Sequence, residues 1–275
     1  MLPRGGAATR VGGTFALRPR GRVAGRPLGS LPGVRRGGRF DPVSSRPYQP
    51  GDDPRLIDQR TSARIATARG SDDLIVREHL AELSPRVLVV LDRTATMELY
   101  PAGLPWLHKP AAVEAVVALV TASAWRARSR IAVADGVSLR DVLADRRLRR
   151  GAFVFVVSDF LQPLDDGAWL EGRARGVDLV PVIVQDPVWE RSFPDLAGLP
   201  LALADPVTGR AGTARLRPAE AQRRREANEA RFRALLERFA ALDVDPVVVE
   251  RADADDVRRR FVSWSAARAR GGAPC

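Results

Sequence analysis

An acid followed at alternate positions by two hydroxyls, Asp92-Arg93-Thr94-Ala95-Thr96, comes directly after the apolar run Val87 to Leu91. One carboxylate and two alcohols in a tight turn offer hard oxygen donors, the ligand type that Mg2+ or Mn2+ takes in preference to nitrogen or sulfur. A second apolar, β-branched run, Phe153 to Val157, ends in Ser158 and Asp159. Both runs read as strands buried on two faces of a parallel sheet. Open α/β sheets place their ligands beyond the carboxyl ends of the strands, so Asp92 and Asp159 are expected to meet over one rim of the sheet, beside the hydroxyls of Thr94 and Thr96. The competing reading is that each acid caps a loop or a helix start, where aspartate is common.

The elements that must position these residues follow from apolar periodicity. Ile131 to Ala134, Val177 to Val184 and Val244 to Val249 read as further strands, the second closed by Asp186-Pro187. Helical segments are expected from Lys109 to about Arg128, Val142 to Arg150, Asp165 to Arg175, Pro218 to Ala241 and Ala254 to Arg268, with Trp264 packed inward. Leu201 to Ala204 and Ala214 to Leu216 form a candidate hairpin with Gly209 at its turn. Strands alternating with helices predict an α/β fold, a doubly wound, mainly parallel sheet with helices on both faces. A β/turn-rich N-terminal segment precedes it: the run Pro50-Gly51-Asp52-Asp53-Pro54 supplies fixed φ, positive φ and side chains that bond their own backbone. Arg46, Arg55, Arg60 and Arg64 lie among Asp52, Asp53, Asp58 and Glu78, which suggests an internal ion-pair network or a binding surface, composition favouring the network. Residues 1–21 read as a flexible basic arm, since glycine, proline and arginine bury too little surface to offset their ordering entropy.

Composition excludes several classes. A hydrophobic content of 45% supports a core and argues against disorder. The net charge of +11 invites nucleic acid, but it is almost entirely arginine, with Lys109 the sole lysine, and 6% aromatic residues leave few rings to stack on bases. A single cysteine, Cys275, allows no disulfide within the chain and suits a reducing compartment. The N-terminal stretch lacks a secretory apolar core, and Ala111 to Trp125 is too short for the roughly 20 residues of a membrane span. The expectation is a cytoplasmic protein. His79 and His108 stand far apart and suggest no metal pair.

The string Arg46-x-Tyr48-x-Pro50-Gly51-Asp52-Asp53-x-Arg55-x-Ile57-Asp58, followed by Ser62-Ala63-Arg64, Val76-Arg77-Glu78, Glu82 and then Asp92-x-Thr94-x-Thr96-Met97, closely resembles the bacterial "domain of unknown function 58" family. The resemblance extends loosely from about Arg22 to Phe261. It implies a family-specific segment over 22–84 packed on a von Willebrand factor A-like domain over 85–270. It also implies a metal-ion-dependent adhesion site, with Asp92, Thr94 and Thr96 on the family's D-x-S-x-S motif and Asp159 as the late aspartate. Threonine replaces both serines, Gln59 stands in place of the usual tryptophan, and the region from Ile131 to Phe153 is short, with no counterpart for the middle threonine. The site so implied is degenerate, and its metal would be Mg2+ or Mn2+.

The same resemblance implies a non-enzymatic protein–protein interaction or adaptor domain that works with a MoxR-type AAA+ ATPase. The rival reading is a haloacid dehalogenase-like phosphatase, because D-R-T-A-T also looks like that family's D-K-T-G-T loop with Asp92 as nucleophile and Lys109 and Ser158 as phosphate contacts. The order of parts opposes it: Lys109 precedes Ser158, and the only later acid pair, Asp255-Asp256, falls on an expected helix. On the adhesion-site reading, Mg2+ or Mn2+ stabilises the protein weakly, in the millimolar range, and either Asp92→Ala or Asp159→Ala removes the effect.

Overall fold

The computed structural model describes residues 13–20, 26–36, 42–49, 54, 57–69, 74–98, 107–145, 148, 150–196, 198–205, 208 and 210–271. Two sheets divide the chain. The first is antiparallel, of strands β1 (Arg26–Arg36), β2 (Pro42–Pro47) and β3 (Ile75–Ser84) in the order β1-β3-β2. The chain leaves it at Ser84 and enters the second at Arg86. That sheet holds β4 (Arg86–Leu91), β5 (Arg130–Asp135), β6 (Phe153–Ser158), β7 (Asp178–Val184) and β10 (Val247–Val249), all parallel, in the order β10-β7-β6-β4-β5. A two-stranded hairpin, β8 (Pro200–Ala204) with β9 (Ala211–Arg215), lies outside both.

Alternation along the strands builds two cores. Val87, Val89, Leu91, Phe153, Phe155 and Val157 face one side, together with α2 (Lys109–Arg126) and α6 (Ala254–Gly271). Leu88, Val90, Val154 and Val156 face the other, against α3 (Leu139–Ala144), α4 (Asp166–Ala174) and α5 (Pro218–Ala241). Helices therefore cover both faces, as period-two strands with no polar face require. Chain order reverses between β4 and β6: the chain passes from β4 to β5 on one side and then returns to β6 on the other. The carboxyl ends of these two strands frame the crevice of a doubly wound sheet.

Local chemistry accounts for the helix ends. Pro110 and Pro218 occupy first-turn positions, where a missing N–H costs nothing. Ser138 Oγ accepts from Asp141 N to open α3, and Asp165 Oδ1 accepts from Ala168 N to open α4. The helix expected over Val142 to Arg150 instead runs from Leu139 to Ala144. Beyond Ala144 the Arg175 guanidinium donates to the carbonyls of Leu143, Asp145 and Leu148, engaging acceptors that a longer helix would use. Strand β9 begins and ends earlier than the expected Ala214 to Leu216, because Leu216 is buried with Phe193 and Ala221.

Two N-terminal expectations change. Residues 59–69 form a helix, α1 (Gln59–Arg69), within the segment expected to be β/turn-rich. Asp58, of the family-like string, caps it: Oδ1 accepts the N–H groups of Arg60 and Thr61, both at 3.1 Å. Ser62 then ties α1 to β3, donating to Asp58 O at 2.8 Å and accepting Ile75 N at 2.8 Å. Pro50, Gly51, Asp52, Asp53 and Arg55 lie outside the described residues, as do residues 1–12 of the expected flexible arm. Over residues 13–20 that arm is corrected to a docked strap. Phe15 and Leu17 are each only 3% exposed, and the Phe15 ring lies 4.9 Å from that of Phe261, centroid to centroid. Two large apolar side chains in this stretch are enough to anchor it, despite the glycine-rich sequence around them.

Candidate functional site at the sheet crevice

The β4 loop folds on itself. Thr94 N donates to Asp92 Oδ1 at 2.8 Å, and the hydroxyls of Thr94 and Thr96 lie 3.2 Å apart. A short 3-10 turn, Ala95–Glu98, follows with Met97 buried beneath it. At the loop's exposed flank Arg93 Nη2 donates to Asp135 Oδ2 at 2.9 Å, and this hydrogen bond holds the Asp135 carboxyl below its ordinary range.

The two acids take different partners. In the β4–β6 register Leu91 pairs with Val157, so Asp92 is level with Ser158 and not with Asp159. Ser158 Oγ donates to Asp92 Oδ2 at 2.6 Å. One residue further on, strand alternation carries Asp159 to the opposite face, towards α2. Asp92 and Asp159 thus follow the carboxyl ends of neighbouring strands, as expected, but hydrogen-bond to Ser158 and to Lys109 respectively.

Asp159 instead joins a buried cluster. Its Oδ2 accepts from Lys109 Nζ at 2.9 Å, and Lys109 also donates to Glu190 Oε1 at 2.5 Å and to the Thr96 carbonyl at 3.0 Å. The side chains of Lys109, Asp159 and Glu190 are 0%, 1% and 5% exposed. Their second oxygens meet backbone: Asp159 Oδ1 accepts Leu161 N at 3.1 Å, and Glu190 Oε2 accepts Asp186 N at 2.8 Å. Asp186 closes the β7 loop, accepting Val188 N and Trp189 N on Oδ1 and Leu107 N on Oδ2. Gln185 Nε2 donates to the Asp159 carbonyl. Burial pushes the Glu190 carboxyl above its ordinary value, with the Lys109 charge offsetting part of the rise.

On the Asp92 side lies a cavity of about 230 Å3. Asp92 and Ser158 form its polar end, while Val90, Val156, Phe160 and Trp169 wall it. Phe160 has φ +51°, a left-handed conformation unusual for an aromatic residue. It is held there by its N–H to Ser158 Oγ at 2.9 Å and by ring contacts with Trp169 and Phe239. The Arg140–Asp165 ion pair, at 2.9 Å, lies on the rim.

For Mg2+ or Mn2+ the expected set Asp92, Thr94, Thr96 and Asp159 does not fit as one shell. Asp92 and the two threonines share a loop, but both Asp159 oxygens are already engaged, one by an ammonium. Among the described residues no three His, Cys, Asp or Glu side chains converge as metal ligands would. Sequence reasoning took Asp186 only as the close of a strand and passed over Gln185 and Glu190. A signal was present for the first two: Gln185 and Asp186 directly follow the buried strand β7, in the position that had marked out Asp92 and Asp159.

A family model described as Protein of unknown function DUF58 matches residues 44–138. That match supports the DUF58 family. It takes in Asp92, Thr94, Thr96 and Lys109 and ends before β6, so Asp159 and Glu190 lie beyond it. No curated protein and no solved structure matches the chain. Among the described residues no helix is long and apolar enough to cross a membrane.

Proposed function

We propose that this chain is a non-enzymatic recognition module, an adaptor that receives a partner protein at the crevice between β4 and β6. The observation that carries this reading is the cavity beside Asp92. It has Asp92 and Ser158 at its base, apolar walls, a rim that includes Arg140, Gln162 and Asp165, and a volume that suits a single large side chain. The partner class follows from the family resemblance: a MoxR-type AAA+ ATPase. The chemistry of the crevice supports binding over turnover. Asp92 uses both oxygens on the Thr94 N–H and the Ser158 hydroxyl, and Lys109 is enclosed by two carboxylates on the opposite face, away from any phosphate beside Asp92.

Binding of a purified MoxR-type ATPase, followed by interferometry with the parent, Asp92→Ala and Leu164→Arg, tests the reading. Leu164 also lines the cavity. Both variants are expected to weaken binding by about tenfold or more, the loss of a central contact in a small interface. Unchanged affinity in both would remove the crevice from the interface. A parallel assay with p-nitrophenyl phosphate and Mg2+ should show no turnover; turnover that Asp92→Ala abolishes would replace the adaptor reading with the phosphatase.

A further inference from the structure

Of the chain's 44 Lys+Arg residues all but one are arginine, and the exception, Lys109, is completely buried at the carboxyl edge of the sheet. Among the described residues its N–H donors reach acceptors from three loops: Thr96 O after β4, Asp159 Oδ2 after β6 and Glu190 Oε1 after β7. A compact ammonium can gather acceptors from three directions onto one point. A guanidinium presents a planar fork and cannot. Each carboxylate gives one oxygen to Lys109 and the other to a backbone N–H, so neither acid has an oxygen free of a hydrogen bond. A divalent ion at the same acids would sit beside a positive charge in a poorly screened interior.

We propose that Lys109 is the resident cation of the crevice: a built-in ammonium that ties the β4, β6 and β7 loops together and withholds Asp159 from Mg2+ or Mn2+. It performs from within the chain the neutralising and cross-linking task that a bound ion performs elsewhere. The three loops keep their arrangement whether or not divalent ions are supplied. This rests on the cluster's geometry and is separate from the identity of any partner.

The test compares Mn2+ titrations by calorimetry, with thermal midpoints in Mn2+ and in EDTA, for the parent, Asp159→Asn and the double variant Lys109→Met/Glu190→Gln. The double variant removes the ammonium and one of its two acids, leaving Asp159 as the uncompensated anion. The parent and Asp159→Asn should respond to Mn2+ alike, within about twofold, and the double variant should bind Mn2+ about tenfold or more tightly than the parent, because an anion next to an ion in low dielectric attracts it strongly. Mn2+ binding in the parent that Asp159→Asn abolishes would overturn the proposal, since Asp159 would then serve an ion. A folded double variant with an unchanged Mn2+ response would overturn it too. If the double variant does not fold, the Asp159→Asn comparison decides alone. Failure of the adaptor reading appears elsewhere, as ATPase binding that ignores Asp92→Ala and Leu164→Arg.

Discussion

The central sheet carries an ionic cluster at each end, and the two differ in make-up and burial. At the carboxyl end a single cation, Lys109, serves two buried acids. At the amino end buried Asp178, the first residue of β7, accepts Arg268 Nη1 at 2.8 Å and the backbone N–H of Arg20 at 3.0 Å, while Arg268 also pairs with exposed Asp245, and Arg20 with exposed Asp243 and Asp245. Arg268 further donates to the Arg18 carbonyl, and Ser265 Oγ to the Ala16 carbonyl. The amino-end cluster thus fastens the N-terminal strap to α6 and closes the fold. The carboxyl-end cluster fastens the loops beside the crevice to the first residue of α2. Buried ion pairs rarely add much net stability relative to apolar replacements, so the placement of the carboxyl-end cluster speaks for order in the loops beside the crevice.

The largest expected effect breaks the carboxyl end. Lys109→Met alone leaves Asp159 and Glu190 buried without their cation and should cost about 3–5 kcal/mol in urea unfolding, the cost of an orphaned buried charge. Adding Asp159→Asn and Glu190→Gln should restore most of the loss. Arg268→Met at the amino end should cost less, about 1–3 kcal/mol, because it strips the cation from one buried acid rather than two and the Arg20 charge remains near Asp178. Equal losses in the two variants would dissolve the distinction between the clusters.

A pH series sharpens the comparison further. The Glu190 carboxyl is raised in the folded protein by burial, so the folded state holds its proton to higher pH than the unfolded chain does. Its contribution to stability is therefore present in acid and lost as pH climbs from the ordinary glutamate value to the raised one. Glu190→Gln removes that decline, and the stability difference between variant and parent should shift in the variant's favour across this window. A flat difference would remove the burial effect from Glu190. The smallest effect is expected at the surface. Arg140→Ala breaks an exposed ion pair with Asp165 on the cavity rim and should leave the thermal midpoint unchanged within error.

Much of the scaffold was readable in the residues. Continuous runs such as Val87 to Leu91 and Phe153 to Val157 have no polar face, so only a two-sided sheet can hold them, and their ends gave the loops of interest. Pro218 and the spacing of Phe232 and Phe239 marked α5 from end to end. Register was not readable. Nothing local says that Leu91 pairs with Val157, and that single offset decides whether Asp92 faces Asp159 or Ser158. The docking of Phe15 and Leu17 was hidden for a similar reason, since their partners Phe155, Phe261 and Trp264 are far away in sequence. The role of Lys109 was legible only in its rarity. Its acceptors, two acids and a backbone carbonyl, sit on three separate loops, which composition cannot bring together.

A chain whose one ε-amine is sealed inside its fold has an intrinsic reporter. Apart from the amino terminus, an acylating reagent finds no primary amine on the intact protein, because the surface cations are guanidinium groups. Modification at Lys109 therefore requires the β4, β6 and β7 loops to separate, and the rate at which a single acyl mass is added, read by mass spectrometry, measures how often the crevice opens.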